Sequence, residues 1–237
     1  MIEKRAVILA GGKGTRLRPY TVVLPKPLMP IGDYPILEVI IRQLKQYGFT
    51  HITMAVNHQA EIIKAFFGDG SKWDIKIDYS LEEKALSTMA PLKLIKDLPD
   101  NFLVMNGDIL TDLNFDEFYA NHVKDKNIFT ISSYQREVKS EFGVLDIDDT
   151  NTLYGFREKP VSIYDVSMGI YMVSKKSVQY IPENTFYGFD HLMLDLMKNG
   201  EEPKVQKFNG YWLDIGRPDD YAQAIDEFDN MKERFIK

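Results

Sequence analysis

The sequence predicts an α/β fold: a mostly parallel sheet flanked by helices, with antiparallel additions in the second half. Apolar strand-like runs alternate with helical ones through the first 135 residues. After that, short strand-like runs follow one another on tight links. The order β-α-β-α-β-α-β implies parallel strands with helices on both faces. A third observation concerns the loop after the first strand, where glycines, prolines and cations replace any helix until about residue 36.

Residues 5–9 (RAVIL) read as a buried strand. Residues 36–47 put Ile36, Val39, Ile40 and Leu44 on one helical face, with Gly48 as the stop. Strand 51–56, a short helix 60–67 and an alternating strand 75–79 follow. Residues 91–97 read as a helix from a weaker pattern. Strand 102–105 runs into Asn106, Gly107 and Asp108, ahead of helix 115–124 and strand 129–134. Residues 143–147, 153–157 and 166–173 read as strands added antiparallel at a sheet edge. Helix 189–198, a strand near 204–208 and a last helix from 219 to about 234 complete the chain. With no repeat, low-complexity tract or separating linker, one domain over residues 1–237 is expected.

The chain has 237 residues, 44% of them hydrophobic, enough for one sizeable core. Its 35 acids against 29 bases leave a net charge of −6, which argues against nucleic-acid binding. Without cysteine, disulfides, thiolate metal sites and thiol nucleophiles are excluded, and a reducing cytoplasmic setting fits. The apolar stretch at the N-terminus is too short for a signal peptide. No run approaches the roughly 20 apolar residues of a membrane span. His51, His58, His122 and His191 lack metal spacing and read as surface or strand-end residues. Phe66, Phe67 and Trp73 read as core.

Residues 6–32, AVILAGGKGTRLRPYTVVLPKPLMPIG, hold no acid but four cations: Lys13, Arg16, Arg18 and Lys26. A cationic glycine loop in an acidic chain calls for an anion, because glycines let backbone N–H groups approach it closely. A Rossmann fingerprint needs a third glycine where Leu17 stands, and then an immediate helix that the prolines forbid. The P-loop pattern is absent. Two readings remain. The loop is a solvated surface segment, or it wraps a nucleoside triphosphate at the carboxyl end of the first strand, where open α/β sheets bind ligands.

GGKGTRLRPYTVVLPKPLMPIG resembles the signature of the sugar-phosphate nucleotidyltransferases and matches each of its fixed positions. The resemblance continues through NGD (Asn106 to Asp108), FGV (Phe142 to Val144), EKP (Glu158 to Pro160), GIY (Gly169 to Tyr171) and WLDIGRPDDY (Trp212 to Tyr221). It implies the nucleotide-diphospho-sugar transferase fold, Rossmann-like, and the reaction of an NTP with a sugar 1-phosphate to give an NDP-sugar and pyrophosphate. Residues 1–135 would be the nucleotide-binding half and 136–237 the sugar-phosphate half. The short tail after the last helix leaves no room for the C-terminal β-helix domain that some relatives append.

By resemblance, Arg16 and Lys26 serve the triphosphate and the transition state. Asp108 and Asp214 would hold Mg²⁺, a hard cation that takes one or two carboxylates and keeps phosphate and water as its other ligands. Leu9, Ala10, Gly11, Gly12, Gly14, Thr15, Glu82, Ser87 and Asp108 would meet the nucleotide. Lys159 would grip the sugar phosphate, Glu158 the sugar hydroxyls, and Gly143 and Gly169 would let backbone approach the sugar. The chemistry is self-consistent. A sugar phosphate is mostly dianionic at neutral pH and needs no general base. Cations and positioning must instead overcome repulsion between two polyanions.

The sequence departs from the family pattern in two places. Ser87, Met89 and Ala90 stand where smaller residues are usual, which would add side-chain volume beside the pocket. Ser167 replaces an asparagine that commonly meets the sugar. Trp212 would help exclude water from the metal. GTP with a mannose- or heptose-like 1-phosphate is the first expectation. Uridylyl, cytidylyl or thymidylyl transfer to another phosphorylated acceptor stays open, as does a non-catalytic nucleotide-binding regulatory subunit. The oligomeric state is open too, a homo-oligomer included.

Overall fold

The computed structural model describes residues 3–57 and 59–236; His58 lies outside them. Strand β1 (Lys4–Leu9) is buried through its middle and empties into the glycine loop. Three short 3₁₀ turns (Thr15–Leu17, Tyr20–Val22, Lys26–Leu28) carry that loop past its prolines. A two-residue arm follows, β2 (Pro30–Ile31) against β3 (Tyr34–Pro35). The chain becomes α-helical only at α1 (Ile36–Gln46), straight after Pro35. Then come β4 (Phe49–Val56), α2 (Ala60–Phe67), β5 (Lys76–Leu81), β6 (Asn101–Asn106), β7 (Ile109–Thr111), α3 (Phe115–Lys124) and β8 (Phe129–Lys139). The second half adds β9 (Val144–Ile147), β10 (Leu153–Arg157), β11 (Val161–Ser174), α4 (Phe189–Lys198), β12 (Lys204–Phe208), β13 (Trp212–Asp214) and α5 (Pro218–Phe235).

The main sheet has seven strands in the order β12-β8-β11-β6-β1-β4-β5. Six run the same way, and β11 is antiparallel to both of its neighbours. This corrects the expected position of the antiparallel additions. β11 lies inside the sheet, between β6 and β8, not at an edge. Its physical reason is legible in MGIYMV: residues 168–173 are all buried, a continuous run that only an interior strand can cover on both faces. β9 and β10 leave the main sheet and pair as a separate ribbon, and β13 pairs with β7. The helix expected over 91–97 is only a 3₁₀ turn, Ala90–Leu94, because Pro91 and Pro99 bracket too short a stretch.

Strand alternation sorts the core onto two faces. Ala6, Ile8, Leu103, Met105, Ile170 and Met172 face one cluster, closed by α1, α2, α3 and α5. Val7, Phe102, Val104, Tyr171 and Val173 face the other, closed by α4 and the turn at 90–94. Phe67 and Trp73 belong to the first cluster, but Phe66 is exposed, a correction to its reading as core. Among the described residues, no helix is long and apolar enough to cross a membrane.

Two histidines are corrected as well. His51 is buried beside Asp78, with Nε2 and Oδ2 2.6 Å apart. His122 is fully buried on α3, between the Thr130 hydroxyl at 2.8 Å and the Asn101 side chain at 3.2 Å. A polar neighbour supplied by a distant strand is invisible in local sequence. Burial lowers the His122 pKa from 6.5 to about 4. The unfolded chain therefore binds an extra proton between those values, and stability present above pH 6.5 is lost as pH falls towards 4. Urea titrations should show a loss on the order of 3 kcal/mol over that window, reduced in His122→Asn.

Candidate active site

The carboxyl ends of four adjacent parallel strands frame one cleft of about 340 Å³. β1 brings Leu9 and, just beyond it, Gly11, Gly12 and Lys13; β4 brings Asn57, β5 Glu82, and β6 Asn106 and Asp108. Backbone bonds extend the ladder past the strands: Ala10 N–H to Ala55 at 2.8 Å, Glu82 N–H to Val56 at 2.9 Å and Gly107 N–H to Leu9 at 3.0 Å. A side-chain carbon at Gly11 would meet Asn57 at 3.1 Å and the Glu82 carboxylate at 3.3 Å, so a side chain at this edge of the cleft would have to push Asn57 or Glu82 aside. Burial raises the Glu82 pKa, opposed by the Leu86 N–H that its Oε2 accepts at 3.3 Å.

The cationic loop is pinned at both ends by buried side chains, Leu17 on one side and Leu28, Met29 and Ile31 on the other. Gly14 has φ +60° and lies against Thr21, whose hydroxyl donates to the Gly14 carbonyl at 2.6 Å. A Cβ at Gly14 would come within 2.9 Å of Thr21 and 3.3 Å of Lys26. The fold therefore turns Lys26 inward. Its ammonium, nearly buried, pairs with Asp108 Oδ2.

Asp214 reaches the same place from the far end of the chain. β13 pairs with β7 so that Asp214 faces Ile109, and the Ile215 N–H donates to the Asp108 carbonyl at 3.1 Å. Burial pushes the Asp214 carboxyl above its usual range. The neighbouring Asp108 charge adds to that, and Lys26 and Arg16 oppose it. Arg16 aims at this cluster: a Cβ at Gly216 would lie 3.2 Å from its Nη2 and 3.4 Å from Asp214 Oδ2. Two carboxylates and two cations, about 200 residues apart in sequence at the extremes, thus cluster together, and Asp108 joins the cluster to the cleft.

Asp108 Oδ1 is buried with no partner among the described residues. An orphaned carboxylate oxygen beside a second, charge-stressed carboxylate suits one hard divalent cation. Among the described residues, no group of three or more metal-ligating side chains occurs, so the pair would leave most coordination positions to phosphate and water.

The remaining predicted residues divide. Ser87 lines the cleft, with φ +71°, a left-handed conformation that glycine adopts freely and serine does not. Met89 and Ala90 do not line it. Both are buried in the second core cluster, which corrects their expected place beside the pocket. Gly169, at φ +73°, packs on Asn106, where a Cβ would approach the amide nitrogen to 2.6 Å. Ser167 spends its hydroxyl locally, donating to the Tyr171 hydroxyl at 3.1 Å and accepting from the Gly169 N–H at 3.2 Å. Gly143 and Glu158 meet each other, with a Cβ at Gly143 3.2 Å from Glu158 Oε2, at the root of the β9–β10 ribbon beside Lys159. No described bond joins them to the carboxylate pair. Trp212 donates to the Met168 carbonyl at 3.1 Å and packs on Tyr134.

Sequence reasoning missed Asn57, Ala85, Thr88, Asn106 and Phe186 as cleft residues. Asn57 and Asn106 carry a signal, a polar residue ending a buried parallel strand. Phe186 carries none. It reaches the cleft because the backbone of Tyr187 exchanges bonds with Leu86, Met89 and Ala90 at 2.9–3.1 Å.

Fold and site together define an α/β protein with a cationic glycine loop facing a carboxylate pair. The chain belongs to the Nucleotidyl transferase family, whose sequence pattern matches residues 5–230. It is 34% identical over 241 residues to UTP--glucose-1-phosphate uridylyltransferase of Synechocystis sp., covering 93% of this chain and 62% of that protein. It is 31% identical over 225 residues to D-glycero-alpha-D-manno-heptose 1-phosphate guanylyltransferase of Campylobacter jejuni, covering 93% of this chain and 98% of that protein. The crystal structure of HddC from Yersinia pseudotuberculosis superposes with a TM-score of 0.73 at 27% identity, over 95% of this chain and 99% of that one.

Proposed function

We propose that the protein transfers a nucleotidyl group from an NTP to a sugar 1-phosphate, releasing pyrophosphate. The convergence of Arg16, Lys26, Asp108 and Asp214 in one cluster beside the cleft carries this reading. The nucleoside occupies the cleft over Leu9, Gly11, Gly12, Glu82 and Ser87, with Ala10, Gly14 and Thr15 shaping the loop beneath the phosphates. Arg16 and Lys26 offset the charge of the triphosphate and of the departing pyrophosphate. Asp108 and Asp214 hold Mg²⁺, which when bound screens the α-phosphate and acts as a Lewis acid there. Lys159 and Glu158, with the backbone at Gly143 and Gly169, receive the acceptor from the second half of the chain. No general base is required, because the attacking phosphate is already ionised.

GTP with a mannose- or heptose-like 1-phosphate is the first choice. The Campylobacter guanylyltransferase, matched over nearly its whole length, supports it. UTP with glucose 1-phosphate is the second reading, favoured by the higher identity to the Synechocystis uridylyltransferase. A matrix of NTPs against sugar 1-phosphates, read by pyrophosphate release, separates them. Turnover is expected with at least one pair, to stop with EDTA and return with excess Mg²⁺. Nucleotide binding without pyrophosphate from any pair would leave the regulatory-subunit reading instead.

A further inference from the structure

The cleft is lined from two sides of the fold. Leu9, Gly11 and Gly12 belong to the end of β1, whereas Ser87, Thr88 and Phe186 come from two loops about 100 residues apart in sequence. Among the lining residues only Leu9, Ala85 and Phe186 carry apolar side chains, and Phe186 supplies the only ring. A Cβ at Gly12 would meet nothing within 4 Å, so the cleft is open above that backbone.

Phe186 is 62% exposed, yet the chain directly after it is fixed. The Tyr187 N–H donates to the Leu86 carbonyl at 2.9 Å, and the Met89 and Ala90 N–H groups both donate to the Tyr187 carbonyl at 3.1 Å. The Phe189 N–H donates to the Thr88 hydroxyl at 2.9 Å. Tyr187 itself is buried, and its hydroxyl donates to Asp195 on α4 at 2.6 Å. Four bonds to one loop and a fifth to α4 thus hold the backbone that carries Phe186.

The aromatic rings that follow are engaged within the fold. Tyr187 packs on His191 with ring centroids 5.4 Å apart, and Phe189 stacks on Tyr171 at 4.7 Å. Phe186 makes no ring contact among the described residues. Single exposed apolar side chains are ordinary on a protein surface. This one differs because it stands in the cleft, on a backbone that cannot readily turn it away.

We propose that Phe186 is the stacking platform for the nucleobase. This rests on the reading of the cleft as the nucleoside site. Every base offers a flat π-face that stacks on an aromatic ring whatever its edge chemistry, and a ring already positioned loses little freedom on binding. Ser87 and the buried Glu82 line the same cleft, so polar groups stand ready for the base edge once the ring holds the face. The ring supplies affinity; the cluster of Arg16, Lys26, Asp108 and Asp214 supplies the chemistry.

Isothermal titration with GTP and, separately, UTP in the presence of Mg²⁺ tests this without turnover. The tighter of the two should bind Phe186→Ala roughly 5- to 150-fold more weakly than wild type, the range that base–aromatic stacking gives. Circular dichroism and melting temperature should not change, because the ring is open in the free protein. Phe186→Leu keeps apolar bulk without a π-face and should lose affinity as well. Phe186→Trp should restore it, and GTP should quench its fluorescence beyond any response of Trp73 and Trp212 in the wild type. Leu194→Ala, equally exposed but on α4, should bind as wild type does. The loss in Phe186→Ala supports the proposal even in a protein that releases no pyrophosphate, so this inference and nucleotidyl transfer fail separately. Wild-type affinity in Phe186→Ala or Phe186→Leu overturns it, as does an unquenched Phe186→Trp. A wild type that binds neither nucleotide overturns both readings.

Discussion

Replacing Arg16 or Lys26 by alanine is expected to cut pyrophosphate release roughly 30- to 1000-fold while the protein stays folded. Each change removes a charge-assisted contact to phosphate in a partly dry site, worth on the order of 2–4 kcal/mol. The two variants should differ in a second respect. Arg16 is an exposed residue whose guanidinium leans on Gly216, so Arg16→Ala leaves nothing unpaired in the core. Lys26 is buried and neutralises Asp108, so Lys26→Ala uncovers a carboxylate and should also lower the melting temperature. Lys26→Met keeps the stem and removes only the charge. It should match Lys26→Ala in rate but retain more of the packing. Wild-type turnover in Arg16→Ala or Lys26→Met would remove these side chains from the mechanism.

Asp214→Asn should move activity and stability in opposite directions. The folded protein disfavours the Asp214 charge, first by burial and then through Asp108. A neutral amide of the same shape relieves that cost, so in EDTA the variant should melt at or above the wild-type temperature. Mg²⁺ should raise the melting temperature of the wild type but not of the variant, because only the wild type offers two carboxylates. Turnover should fall at least about 100-fold, the scale of losing several kcal/mol of charge stabilisation. A variant destabilised in EDTA, or one still stabilised by Mg²⁺, would contradict the assignment of Asp214.

Local pattern shows one side of the site well. The acid-free loop from Ala6 to Gly32, with its four cations, is a continuous stretch whose partner chemistry follows from charge and glycine content. The two aspartates are not legible in this way. A strand-ending Asn-Gly-Asp also reads as a turn, and the place of Asp214 depends on β13 pairing with β7 across about 100 residues; the family resemblance supplied both roles. The parallel half of the sheet follows from alternation of runs, but the insertion of β11 between β6 and β8 is a tertiary choice. Only its unbroken buried run hinted at it. Met89 illustrates the converse failure: a position counted from a motif was expected beside the ligand, yet the backbone turn at Ser87 sends the side chain into the core.

The account rests on two cations and two carboxylates acting at one phosphorus. A crystal structure with Mg²⁺ and a non-hydrolysable NTP analogue tests this most directly. It should place the metal between Asp108 and Asp214, with the α-phosphate within hydrogen-bond reach of Arg16 or Lys26. A triphosphate bound elsewhere, or a metal that touches neither aspartate, would contradict it.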